Sequence, residues 1–178
     1  TGHLVFTTLH TNTASMAIAR LKKLDVDMDS LAGMLLGVLA QRLTRVLCEA
    51  CKVQDTRPST LLSLTEGNRP YLDEYRPFKI HRSSSSGCVH CGYTGYTGRK
   101  IIYELLVNSP ELRVLIETGA STSRIAKAGL RPGFSMWDAG LRLVAQGITS
   151  IEALKLVAKE ETLEDNDKSA FGALSNSL

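Results

Sequence analysis

The sequence predicts an α/β fold interrupted by a metal-binding insert. Three observations carry that prediction. Leu4 to Leu9 (LVFTTL) is short, rich in strand formers and apolar on both parities, as an interior strand of a parallel sheet is. Several later segments repeat apolar residues at helical spacing. Between them lie two C-x-x-C pairs, Cys48 with Cys51 and Cys88 with Cys91.

The elements follow in order. After the first strand, Asn12 or Thr13 can cap a helix whose apolar row is Ala14, Ile18, Leu21 and Leu24. Asp25 to Asp29 breaks that row. Asp29 or Ser30 can cap a second helix, with Leu31, Leu35, Val38, Leu39, Leu43, Val46 and Leu47 as its broad apolar face. Residues 48–98 hold all four cysteines, three of the five prolines, a Ser83 to Ser86 run and the turn-rich glycines Gly92, Gly95 and Gly98. Strand character returns at Lys100 to Val107. Helices are then expected after Pro110, near Ser121 to Ser123, from Ser135 to Gln146, and from Ser150 to about Lys159. The polar residues past Glu160 are expected to be disordered. The division expected is therefore 1–47, an insert at 48–98, a return strand with helices at 99–160, and a tail at 161–178.

Composition narrows the function classes. Hydrophobic residues make up 43% and charged residues 22%, as in ordinary globular proteins. No apolar run reaches the roughly 20 residues that span a bilayer, so any membrane association is expected to be indirect. The net charge of +3 is mild and scattered, which argues against direct nucleic-acid binding. The chain opens on Thr1 and a strand-like segment with no basic leader. It is expected to be cut from a larger domain, with no secretory signal.

The cysteine spacing points to metal. Each C-x-x-C turn converges two thiolates, and two turns complete the tetrahedral sulfur shell of a structural zinc. The 36 residues between the pairs suit a small insert. Disulfides and an iron–sulfur cluster are the competing readings. His81 and His90 lie nearby and are read as exposed loop residues, because four thiolates already close the shell.

His3 and His10 bracket the first strand. Ligands of open α/β sheets bind beyond the C-terminal ends of strands, where His10, Thr11 and Asn12 fall. Such groups can sense a terminal phosphate or orient a water, and Thr8 joins them if its hydroxyl faces the site. On spacing alone, Asn12 reads equally as a helix cap and His10 as a turn residue. Arg20 on the following helix is a surface residue or a sensor of transferring phosphate charge.

The segments TGHLVFTTLHTN, AIARLKKLDVDMDSLAGMLLGVLAQRLTRVLCEAC, GCVHCGYTGYTGRKIIYELL and SMWDAGLRLVAQGITSIEAL resemble, collinearly, the type II secretion and type IV pilus assembly ATPases. The resemblance covers about residues 1–159, and its zinc insert favours the secretion and pilus-extension branch. It implies the C-terminal part of a RecA-like P-loop ATPase core with a four-cysteine zinc insert and a C-terminal helical subdomain. It also implies a homo-hexamer at the cytoplasmic face of the inner membrane, coupled to membrane platform proteins, with ATP and magnesium bound between domains. His3 and His10 carry over as histidine-box residues, the four cysteines as zinc ligands, and Arg20 as a phosphate-charge sensor.

No G-x-x-x-x-G-K-[ST] occurs in these 178 residues, and no strand ends in acidic residues fit for magnesium. Those parts are expected to precede Thr1, and ATP hydrolysis is not expected of this chain alone. Two other readings exist. One is a free zinc module stacking bases on Tyr93 and Tyr96, with Arg99 and Lys100 at phosphates. The other is a non-catalytic scaffold.

Overall fold

The computed structural model describes residues 3–67 and 69–159. Helices and strands are mixed, as the sequence predicts, but among the described residues the strands make no parallel sheet. They form two two-stranded sheets: β1 (Gly37–Leu47) with β4 (Tyr96–Val107), and β2 (Val53–Gln54) with β3 (His81–Arg82). β2 and β3 run antiparallel. So do β1 and β4: the Cys48 amide donates to the Gly95 carbonyl at 3.0 Å beyond one end, and Asn108 to Leu36 at 3.1 Å beyond the other.

The chain divides into two compact units, and β1 and β4 contribute residues to both. One unit comprises the residues up to Ala40 together with Glu104–Arg131. It holds α1 (Ala14–Lys22), α2 (Met28–Met34), α4 (Pro110–Glu117) and α5 (Thr122–Gly129). α2 packs on α4, and α5 packs on both α1 and α4. Local chemistry sets each helix start. Thr13 accepts from the Met16 amide, Asp27 from Ser30, Ser109 from Leu112 and Ser121 from Arg124. Gly129 has no room for a side chain, because a Cβ there would lie 2.6 Å from Leu106 Cγ.

The other unit comprises, among the described residues, Gln41–Tyr103 and residues 132–159. It holds α3 (Pro58–Thr65), the cysteine segment, α6 (Met136–Ala145) and α7 (Ile151–Lys155). α6 opens with a capping box between Ser135 and Asp138 and buries Trp137, Leu141 and Val144. The turn between α6 and α7 bonds to β1. Leu47 N donates to Ile148 O at 2.9 Å, and Thr149 Oγ1 donates to Arg45 O at 2.7 Å. The hydroxyls of Thr44 and Thr149, both fully buried, meet at 3.2 Å. Lys79 N donates to Ala145 O at 2.8 Å, which ties the insert to α6. Gly147 makes this approach possible: its φ is +70°, and a Cβ would come within 2.3 Å of Lys79 O.

Two sequence expectations are overturned. Leu4 to Leu9 is not a strand, and Leu4, Val5 and Phe6 are 63%, 79% and 87% exposed. An interior strand needs hydrogen-bonded neighbours on both sides, and the described residues supply none to it. Nor is Leu31 to Leu47 one helix. α2 stops at Met34, and β1 follows. Two of the leucines assigned to the apolar helix face, Leu39 and Leu43, are exposed, while Ala40 and Thr44 are buried on the opposite parity and Leu47, also assigned to that face, is buried. The pairing partner of β1 lies some 50 residues downstream in sequence, so local periodicity could not reveal it. The helices expected from Pro110 onward are all present, although α7 is shorter than its expected span. The expectation of a disordered tail falls outside the described residues.

Candidate functional site

The antiparallel pairing of β1 with β4 explains how two cysteine pairs with 36 residues between them meet. Cys48 directly follows β1, and Cys91 lies shortly before β4 begins at Tyr96. Each pair is then folded by its own turn. Cys51 N and Lys52 N both donate to Cys48 O, while Cys91 N and Tyr93 N donate to Cys88 O. Gly92 and Tyr93 take left-handed φ of 58° and 63° to close the second turn. Gly87 allows that turn to fold back, since a Cβ there would sit 2.4 Å from the Tyr93 carbonyl carbon.

All four Sγ atoms lie within 4.8 Å of one another. Three of the separations are 3.7 Å (Cys48 to Cys88), 3.9 Å (Cys51 to Cys91) and 3.8 Å (Cys88 to Cys91). A tetrahedral ion with bonds of about 2.3 Å to sulfur requires edges of about 3.8 Å. The donor set therefore fits one tetrahedral metal ion. The cysteines are free, and the separations are far too long for the disulfide alternative, whose S–S distance is about 2.05 Å. Neither His81 nor His90 belongs to the cluster. His90 is exposed, as expected. His81 instead forms half of β3, and its Nδ1 lies 2.8 Å from Lys79 O.

Electrostatics prepare the cluster for a cation. Burial raises the Cys91 thiol, but the amides of Cys88 and Gly95, each donating to its sulfur at 3.2 Å, bring it down to about 6. Burial and the three neighbouring thiols push Cys51 up to about 12.

An ion-pair cluster braces the segment that follows the first cysteine pair. The Asp55 side chain is fully buried. Arg57 donates to it from Nε at 2.8 Å and Nη2 at 2.6 Å, and the Thr60 hydroxyl at 2.9 Å. Hydrogen bonds from Arg57 hold the Asp55 carboxyl at about 2, against the opposing effect of burial. Arg57 also reaches Glu152 on α7.

The histidine segment is placed differently from the sequence expectation. His3, Thr8, His10 and Asn12 are exposed, Thr11 is half-buried, and the segment precedes α1 without regular structure. Thr11 donates to the Thr13 carbonyl at 3.2 Å. Thr13, not Asn12, is the cap of α1. Arg20 is exposed on α1. Among the described residues no hydrogen bond joins His3, Thr8, His10 and Arg20 to one another. Sequence reasoning missed Glu104, which is 2% exposed and accepts from the Ala14 amide at the start of α1. Its signal was an acidic residue on the apolar parity of KIIYELLV, between Ile102 and Leu106. Tyr96 is half-buried: Arg45 covers its ring at 4.1 Å, and its hydroxyl lies 2.9 Å from Ser150 Oγ.

The sequence model for the family described as Type II/IV secretion system protein matches residues 1–156. The chain belongs to that family. Type II secretion system protein E of Pseudomonas aeruginosa is 40% identical over 164 residues, covering 90% of this chain and 31% of that protein. Type IV pilus assembly ATPase PilB of Thermus thermophilus is 42% identical over 156 residues, 85% of this chain and 17% of that protein. Type II secretion system ATPase E of Vibrio cholerae is 39% identical over 160 residues, 90% and 30%. The chain thus spans less than a third of the length of these relatives. No helix among the described residues is long and apolar enough to cross a membrane.

Proposed function

We propose that this chain is the C-terminal part of a hexameric ATPase that powers type II secretion or type IV pilus assembly. The observation that carries the reading is the family match over residues 1–156, joined to relatives that are themselves named as secretion and pilus ATPases. The share of those relatives that the chain leaves uncovered would supply the phosphate-binding loop and the acidic magnesium site of a RecA-like core. His3 and His10 would face the nucleotide, with Thr8, Thr11 and Asn12 beside them and Arg20 as a candidate sensor of phosphate charge. The ATPase would act at the cytoplasmic face of the inner membrane through platform proteins.

Cys48, Cys51, Cys88 and Cys91 would hold zinc. With four thiolates there is no open coordination position, so the ion would supply folding energy rather than chemistry. The match of the sulfur separations to a single tetrahedral ion supports this over an iron–sulfur cluster.

ATP turnover tests the reading. The chain joined to the uncovered part of a close relative should hydrolyse ATP as an assembled hexamer. His10→Ala should lower kcat at least about tenfold. Full turnover in His10→Ala would sink the histidine assignment, and a joined protein that assembles but neither binds nor hydrolyses ATP would sink the whole reading.

A further inference from the structure

Glu104 occupies the inward row of β4 between Ile102 and Leu106, which are 1% and 0% exposed. A carboxyl group at such a position is costly unless a buried donor meets it. One such donor is the amide of Ala14, which reaches Oε1 at 2.6 Å from 90 residues away in sequence. Ala14 is the first residue of α1 and is 0% exposed, so water does not reach its amide. First-turn amides have no partner within their own helix. α1 carries no acidic residue in its first turn, and its cap Thr13 serves Met16 instead. The start of α1 is therefore secured by a residue of β4.

We propose that Glu104 is a positioning residue for His10, Thr11 and Asn12. By holding the Ala14 amide it fixes where α1 begins, and so the direction in which the residues before the Thr13 cap leave the helix. The Thr11 hydroxyl, donating to the Thr13 carbonyl at 3.2 Å, carries the constraint two residues outward. Thr13 Oγ1 lies 3.2 Å from Ser15 Oγ, and Ser15 is itself buried, which anchors the cap from the helix side. A local Ser or Asp would satisfy the helix terminus equally well. An acceptor on a distant strand does more, because it registers the helix start against β4. The inference rests on the reading of His10 to Asn12 as nucleotide-facing residues.

The test is steady-state ATP hydrolysis by the complete assembled ATPase, at a temperature where every variant is folded. Glu104→Gln keeps an oxygen acceptor at the same reach and should retain kcat within about twofold. Glu104→Ala should lower kcat roughly 10- to 100-fold while KM for ATP changes little, because misplacing a reacting group costs rate more than ground-state binding. In the His10→Ala background Glu104→Ala should add almost nothing, since both would remove the same contribution. Should Glu104→Ala give no folded hexamer, Glu104→Asp, one methylene short of Ala14, is read by the same criteria. Unchanged kcat in these variants, with His10→Ala impaired, overturns the positioning role and leaves the nucleotide reading standing. Additive losses in the double variant overturn it as well. Full turnover in His10→Ala overturns the nucleotide reading and this inference with it.

Discussion

Asp55 and Cys88 show how single side chains hold this protein together. Asp55 is wholly buried and takes donors from Arg57 and the buried Thr60, so Asp55→Ala should cost about 2 kcal/mol in urea unfolding, the order expected when a buried hydroxyl and a half-exposed guanidinium lose their acceptor. Its pH dependence has a definite sign. The folded carboxyl sits at about 2 against an ordinary value of 3.8. The contribution is therefore complete above pH 3.8 and fades as pH falls toward 2. Acid titration of the wild type and of Asp55→Asn should converge across that window; curves that stay parallel down to pH 2 would contradict the assignment. Cys88 supplies two of the three sulfur separations near 3.8 Å. Cys88→Ser should take zinc content from about one ion per chain to a small fraction, read by elemental analysis. Stoichiometric zinc in that variant would remove Cys88 from the ligand set.

At the scale of elements, β1 is the instructive case. Leu39 and Leu43 recur at helical spacing, which suggested a helix, yet they are 57% and 50% exposed while Ala40 and Thr44 are buried. Both patterns are present in GVLAQRLTRVL, and the choice between them is made by β4 and by the Ile148 and Thr149 turn. A pair of substitutions separates the alternatives. As a strand, β1 should accept Leu43→Lys within about 0.5 kcal/mol, whereas Ala40→Asp should cost about 3 kcal/mol or more by burying an unpaired charge. Thermal or urea unfolding of the chain gives the comparison, and the reverse order would favour the helix. The helices from Pro110 onward posed no such ambiguity. Their caps are local: Ser109, Ser121, Ser135 and Ser150 each bind an amide three residues on.

At the scale of the molecule, the cysteine segment is part of a larger compact unit. It shares that unit with α6 and α7, through Lys79 to Ala145, Lys52 to Gly147 and Arg57 to Glu152. Metal removal should therefore reach beyond the insert. After chelation, amide hydrogen exchange should accelerate in Gln41–Tyr103 and in residues 132–159, while α4 and α5 keep more of their protection. Loss confined to residues 48–98 would show that the insert unfolds by itself.

What could be read from the sequence was local. C-x-x-C spacing marked the four cysteines that come together, because each turn needs only its own four residues. Serine caps and a proline determined the starts of the later helices, because a cap acts within one turn. Collinear motifs determined the family. The tertiary structure alone decided that residues 37–47 form a strand, that Leu4 to Leu9 is no strand and is exposed from Leu4 to Thr8, and that Glu104 secures the start of α1. Each of these depends on hydrogen bonds between segments far apart in the chain. A backbone amide or a buried carboxyl takes whichever partner the fold delivers, and nothing in the neighbouring sequence states which one that is.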